Sequence, residues 1–411
     1  MTILMKWVKK TMKYEIKKII VKPVNRIVLF ITTMIVIVFA LLAVNDVSYI
    51  KNDGTTVHGH SAAKELTEKK NEWKGNLTKD TLLKVYSFNK ENSLQEDEDI
   101  ENDETYSKIQ GIMDIRDLIN EAFSPADEYD YYRISKISKD SLEHFYSTRE
   151  NGLDEYLDDA GTKYSGEEKT YILNKYENMQ KPLYYEAAEG WKTLLKAAYF
   201  PSILIIVILA CAFLVSGIFS DEFKYKADSV FFSAKLGRSK AIMSKIYAGI
   251  GTITAVYWFE VILFTLIVLA TLGINGANCL IQTDADNWHS IYNITFFQEY
   301  LITVVGAYIG CIFILSLSML VSIHTKQGIV AITIPFFFVC VCPFLGRIPI
   351  LSEAVNLLPG QLLQLNTLFK YIYLYCINGK VVGLIELVVL IYFVGNLFVI
   401  PRLYFSMRKI R

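Results

Sequence analysis

Almost unbroken apolar runs recur at about 27–44, 200–219, 247–273, 297–323, 328–345 and 381–400, with polar sequence between them. A helix crosses a hydrocarbon core with roughly 20 mostly apolar residues, so each run predicts a transmembrane helix. The first has 18 residues, reaches only about 27 Å at the helical rise, and has the length of a signal peptide. The sequence after it, AVNDVSYIKND, lacks a small-residue cleavage pattern, which predicts a retained span. Ahead of it, in LMKWVKKTMKYEIKKII, Leu4, Trp7, Val8, Met12, Ile16, Ile19 and Ile20 recur at three- and four-residue steps with lysines between them. The pattern predicts an amphipathic helix. It either lies flat at the membrane interface with its lysines among anionic headgroups or serves only as a basic flank. Pro23 ends it, so helix, turn and span make an elbow.

Between the first two runs the period changes. The segments AKELTEKKNEW, TLLKVYSFNK, TYSKIQGIMDIRDLINEAF, DSLEHFYSTRENGLDEYL and EEKTYILNKYENM have helix-period apolar residues, and Ser165 with Glu168 makes a capping-box pattern. YYRIS, at 131–135, is the best strand candidate. The run ENSLQEDEDIENDE, at 91–104, has eight carboxylates and no base. It reads as a solvated loop or as a cation-attracting surface.

Composition agrees with a polytopic membrane protein: 52% of residues are hydrophobic and 13% aromatic, too many for an ordinary soluble enzyme. The zero net charge conceals a division. Residues 46–198 carry 32 Asp and Glu against 20 Lys and Arg, and the rest of the chain carries 10 against 22. Segments 1–26, 220–246, 324–327 and 401–411 hold 19 Lys and Arg between them, whereas 274–296 and 346–380 hold 3. The positive-inside rule therefore predicts cytoplasmic termini in a plasma membrane, with 45–198 outside as an extracellular domain large enough to fold on its own core. None of the six cysteines lies in that insert, which is expected to fold without disulfides; Cys279 and Cys376 lie in outer loops, but nothing in the sequence brings them together, and no pairing is expected. No zinc-type spacing occurs, and His58 and His60 flank a glycine in a loop, so no metal site is expected.

The loop DEFKYKADSVFFSAKLGRSKAIMSK, at 221–245, is longer than a connector between spans needs to be. Ser229 to Ser233 predicts a short helix presenting Val230, Phe231 and Phe232, ended by Gly237 before Arg238. An apolar patch rimmed by Lys226, Lys235 and Arg238 suits docking to another protein. It also suits folding back onto the membrane interface.

This loop resembles the first cytoplasmic loop of ABC-2 type permeases, the membrane subunits of ATP-binding-cassette exporters. Glu222 falls on the glutamate of that pattern, Val230, Phe231 and Phe232 on its aliphatic stretch, Arg238 on its arginine and Lys245 on its lysine. Lys226 and Ala227 replace the usual Gly-Thr, and Lys235 the common proline. The elbow, the six spans and LLPGQL before the last span are also similar to the family, whereas the outer insert is not. The resemblance implies an all-α membrane protein with an interfacial elbow helix at 1–26, a first span at 27–44 and five further spans at 199–411; the mainly helical extracellular domain at 45–198 rests on its own periodicity and charge. It implies that the loop at 220–246 contains a coupling helix seated on a separate cytoplasmic ATPase, that two permease chains work together, and that the ATPase uses ATP and Mg. No GxxxxGK[ST] phosphate loop occurs in the chain, and no catalytic cluster or nucleic-acid partner is expected.

Glu260 lies near the middle of the third span and Glu386 near the outer end of the last. An intramembrane acid is costly and usually faces protein or water, so Glu260 is a structural group or a candidate on a substrate pathway. The function classes that remain are an exporter of amphipathic peptides, lipids or drugs, with cationic antimicrobial peptides suiting an acidic outer domain; a mechanotransmission or sensory permease; an ion-extruding permease; and a membrane-anchored sensor or enzyme without transport.

Overall fold

The computed structural model describes residues 2–92, 103–125, 128–159, 164–234 and 236–410. Most of the acidic run at 91–104 lies outside the described residues. Among the described residues, six helices are long and apolar enough to cross a membrane: Pro23–Asn45, Phe200–Lys224, Gly237–Leu272, Phe296–Thr325, Gly328–Leu345 and Leu384–Lys409. They are called here the first to sixth spans, and they make the chain an all-α, multi-pass membrane protein. Phe30, Leu41, Leu397 and Phe398 on the outer faces of the first and last are exposed, as helix surfaces that meet lipid tails must be.

The second and third spans are longer than their apolar runs. At 36 residues the third extends over about 54 Å, well beyond a hydrocarbon core of about 30 Å. Its first turns and the last turn of the second are polar and project from one end of the bundle. The fifth span has Pro335 inside it, followed by a wide π turn at Phe337–Val341. Proline lacks the N–H a regular turn would use, and such local widening is a usual consequence.

An N-terminal helix, Thr2–Val21, precedes the first span, and Pro23 occupies the first turn of that span, where its missing donor costs nothing. The side of this helix bearing Met12, Ile16 and Ile19 packs against the spans, while Lys9, Lys10, Lys13 and Lys17 are exposed. The amphipathic pattern thus serves packing on the protein itself. Thr11 and Ser244 share a hydrogen bond of 2.6 Å that joins this helix to the start of the third span.

The insert between the first and second spans is mainly helical, as its periodicity predicts, with helices at Gly59–Asn71, Lys79–Asn92, Met113–Phe123, Phe145–Asp159 and Gly166–Glu177 among others. The Ser165 and Glu168 capping box is formed in both directions, at 2.8 and 3.3 Å. YYRIS is not a strand; Arg133–Lys136 is a helical turn. The carbonyl of Tyr131 accepts from Arg116 and Asn120, and the Asn120 amide oxygen accepts from the Ile134 N–H at 2.8 Å. Side chains thereby satisfy the backbone groups that a sheet partner would have taken. The strands form three two-stranded antiparallel ribbons: Ser48–Ile50 with Thr56–His58, Gly75–Asn76 with Tyr184–Tyr185, and Leu374–Ile377 with Lys380–Gly383. The last turns through Asn378 and Gly379, both at positive φ, the left-handed pair that a tight hairpin requires.

The insert's hydrophobic clusters are built mainly from its own residues and take in two from outside it. Trp288, from the loop after the third span, is fully buried among Leu82, Ile115, Leu118 and Phe145 of the insert. Ile291 of the same loop completes a second cluster with Leu153, Leu157, Ile172 and Tyr176. Arg149 donates to the Trp288 carbonyl at 2.9 and 3.0 Å with its guanidinium 3.8 Å from the Tyr176 ring centre, and Tyr176 donates to the His289 carbonyl at 2.7 Å. The loop after the third span is thus packed into the insert's clusters through Trp288 and Ile291. The segment carrying LLPGQL is likewise no surface loop, since Leu362, Leu363 and Leu365 are buried in the main helical core. Cys279 is buried, Cys376 is exposed, and both are free thiols.

Candidate functional site

At the end of the bundle that holds both chain termini, the loop between the second and third spans contains the helix Asp228–Ser233. Val230 on it is 72% exposed. Phe231 and Phe232 are half-buried, with ring centres 5.2 Å apart, and pack against the bundle. The expected patch of three exposed side chains is thus reduced to Val230, because the two rings turn back onto the protein. Gly237 follows at a point of close approach, where a Cβ would stand 1.8 Å from the Phe231 carbonyl oxygen. Arg238 donates to the carbonyls of Phe232, Arg408 and Ile410 at 3.4, 3.4 and 3.1 Å, tying the loop to the C-terminal end of the sixth span. Lys235 lies outside the described residues.

The base of this loop is clamped. The Lys245 side chain is 2% exposed and meets Glu222 at 2.8 Å, Glu15 at 3.2 Å and the Ile218 carbonyl at 2.9 Å. Lys18 stands 3.0 Å from Glu15 and 3.8 Å from Glu222, and Lys22 reaches Asp221 at 2.5 Å. Gly217 admits this last pair, since a Cβ there would come within 2.7 Å of both partners. Two positions that the sequence assigns to opposite ends of the loop, Glu222 and Lys245, are therefore one ion pair. Glu15 was missed. Its signal was present, because it is the only acidic residue among the first 45, set in a helix of lysines.

Glu260 is buried in the third span and accepts from the Thr33 hydroxyl at 2.6 Å through one oxygen; its other oxygen has no partner among the described residues. Glu386 approaches the Tyr292 hydroxyl at 3.5 Å. Neither joins the loop cluster.

The opposite end of the bundle holds a second charged cluster that no sequence feature announced. A cavity of about 590 Å³ lies where the insert, the loop at 274–296, the start of the fourth span and the segment before the sixth converge. Lys70, buried on Gly59–Asn71, binds Asp114 at 3.0 Å and Glu189 at 2.5 Å; Lys192 binds Asp114 at 3.2 Å and Asp284 at 3.5 Å. Tyr185 donates to Asp114 at 3.0 Å. Burial alone would raise the Asp114 carboxyl, but the ammonium groups of Lys192 and Lys70 outweigh it and hold the carboxyl well below the usual range. Burial works against the charge on Lys192 and Lys70 as well, and their carboxylate partners nonetheless raise both above the ordinary lysine value. Asp284 is pushed up by burial against the pull of Lys192. Lys196 pairs with Asp46, and Lys370 with Asp286 at 2.5 Å.

Among the described residues no group of His, Cys, Asp and Glu is arranged to hold a metal ion. No family model, no curated protein and no solved structure matches the chain.

Proposed function

We propose that this chain is the permease subunit of an ATP-driven exporter, similar in plan to ABC-2 type permeases, with a separate cytoplasmic ATPase supplying the energy from ATP and Mg. In this reading the end bearing the termini and the 220–246 loop faces the cytoplasm, as the lysine and arginine distribution favours. The insert and its associated loops stand outside the plasma membrane. A second permease chain completes the transporter, and the cargo is amphipathic: a peptide, lipid or drug, with a cationic peptide best matched to the acidic outer face.

The observation that carries the reading is the mechanical form of the loop. Its tip offers an exposed apolar residue, Val230, while its base is fixed by Lys245, Glu222 and Glu15 to three helices at once. A push on such a tip moves the second and third spans and the N-terminal helix together, which is what a coupling element has to do. An amphipathic hairpin lying on lipid has no need of a clamp to the N-terminal helix. A sensory variant of the same permease has support from the outer body, where Arg149 and Trp288 lock the insert to the mouth of the third span.

The test is Val230→Asp in the full chain, expressed with the ATPase that copurifies with the unaltered protein. The side chain is exposed, so folding and yield are expected to stay unchanged. A carboxylate at the centre of a docking patch is expected to weaken ATPase association at least about tenfold. Unaltered copurification and unaltered ATP turnover would sink the coupling assignment and leave the loop as a membrane-facing hairpin.

A further inference from the structure

The outer cavity has more hydrogen-bond acceptors than the chain has donors to satisfy. Its four lysines, Lys70, Lys192, Lys196 and Lys370, are each engaged by a carboxylate. Glu299, one turn into the fourth span, lines the same cavity, is 3% exposed, and has no ion-pair or hydrogen-bond partner for its carboxylate among the described residues. The amide oxygens of Asn366 and Asn287, residues of the wall, are without a donor but closed off from the cavity itself, so the carboxyl of Glu299 is the acceptor that a ligand can reach.

We propose that this cavity is a binding site for a small organic cation, a primary ammonium or guanidinium group on a short apolar body. An anion would bring a like charge to the Glu299 carboxylate, and a neutral carbonyl would bring only a further acceptor. A cation brings donors only, and a charge-assisted bond to an otherwise unpartnered buried carboxylate is among the stronger polar contacts available. Trp191 and Phe296, both buried, supply apolar wall for the body of the ligand. The volume falls within the range usual for small-molecule sites. The inference does not depend on an ATPase partner, since the site is built from this chain alone.

The experiment uses the full chain in lipid nanodiscs and two probes of one shape, phenethylammonium and phenethyl alcohol, with binding read by titration calorimetry. The ammonium is expected to bind saturably, and the alcohol at least about tenfold more weakly. Glu299→Gln is expected to bring ammonium affinity down to that of the alcohol. Equal affinity for the two probes, no saturable binding of the ammonium, or full affinity in folded Glu299→Gln would each overturn the proposal. The comparison of probes on the unaltered chain decides the matter should the variant fail to fold.

Discussion

The two ends of the bundle hold ion-pair clusters of similar make-up and different balance. At the end with the termini, Lys18, Lys22 and Lys245 face Glu15, Asp221 and Glu222, three against three, and every carboxylate lies within 4 Å of a lysine. At the other end, Lys70, Lys192, Lys196 and Lys370 face Asp46, Asp114, Glu189, Asp284 and Asp286, with Glu299 left over. Buried charge is costly unless it is paired, so a balanced cluster has reached its final state without help. Glu299, beside an open cavity, is an acid to which no described residue supplies an ion-pair partner. The first cluster behaves as a clamp and the second as a receptor.

The largest effect that would break this comparison is at the clamp. Lys245→Met removes the one buried cation between Glu15 and Glu222, leaving only Lys18, which is largely exposed, to hold them. Stranding buried carboxylates in this way destabilises a protein by about 3–5 kcal/mol. The variant is expected to lose thermal stability in detergent, and adding Glu15→Gln and Glu222→Gln to it is expected to restore much of the loss. Should Lys245→Met melt with the unaltered chain, the cluster is too wet to act as a clamp.

The two clusters also differ in how far they could be read from the amino-acid sequence. Glu222 and Lys245 lie on one short loop between two apolar runs, where the pattern and the resemblance both drew attention to them. Only the third partner, Glu15, waited on the structure to bring the N-terminal helix alongside. The members of the second cluster come from seven separate stretches between Asp46 and Lys370. Each is a single charged or polar residue in ordinary polar sequence, so no spacing marks it. The six spans were legible because hydrophobic composition is local, and the insert helices because period is local. The partnership of Arg149 with Trp288 was not, because 139 positions separate them and no pattern in either neighbourhood refers to the other.

That shared outer core supplies the next effect in size. If the loop at 274–296 is part of the insert's core, Ile291→Ala will open a cavity among Leu153, Leu157, Ile172 and Tyr176. A buried Ile→Ala change costs about 2–5 kcal/mol. Hydrogen exchange is expected to quicken in Phe145–Asp159 and Gly166–Glu177, far from the substitution in sequence, and to stay unchanged in the N-terminal helix. Exchange confined to the loop itself would show that the insert holds together without it, and the outer cavity would then have a movable wall.

The smallest effect separates receptor from clamp most directly, because it is expected to run opposite to that at Lys245. Glu299→Gln removes an acidic group that has no ion-pair partner among the described residues, and it keeps the shape of the side chain. A buried acid without a partner carries a desolvation penalty whenever it ionises, so the variant is expected to melt at the same temperature as the unaltered chain or slightly above it, a change within about 1 kcal/mol in the stabilising direction. Addition of phenethylammonium is then expected to raise the melting temperature of the unaltered chain, since a ligand that binds only the folded state stabilises it by mass action, and to leave Glu299→Gln where it was. A destabilised Glu299→Gln would mean that the carboxylate is held by the fold after all. The outer cluster would then be a second clamp, differing from the first only in the number of its charges.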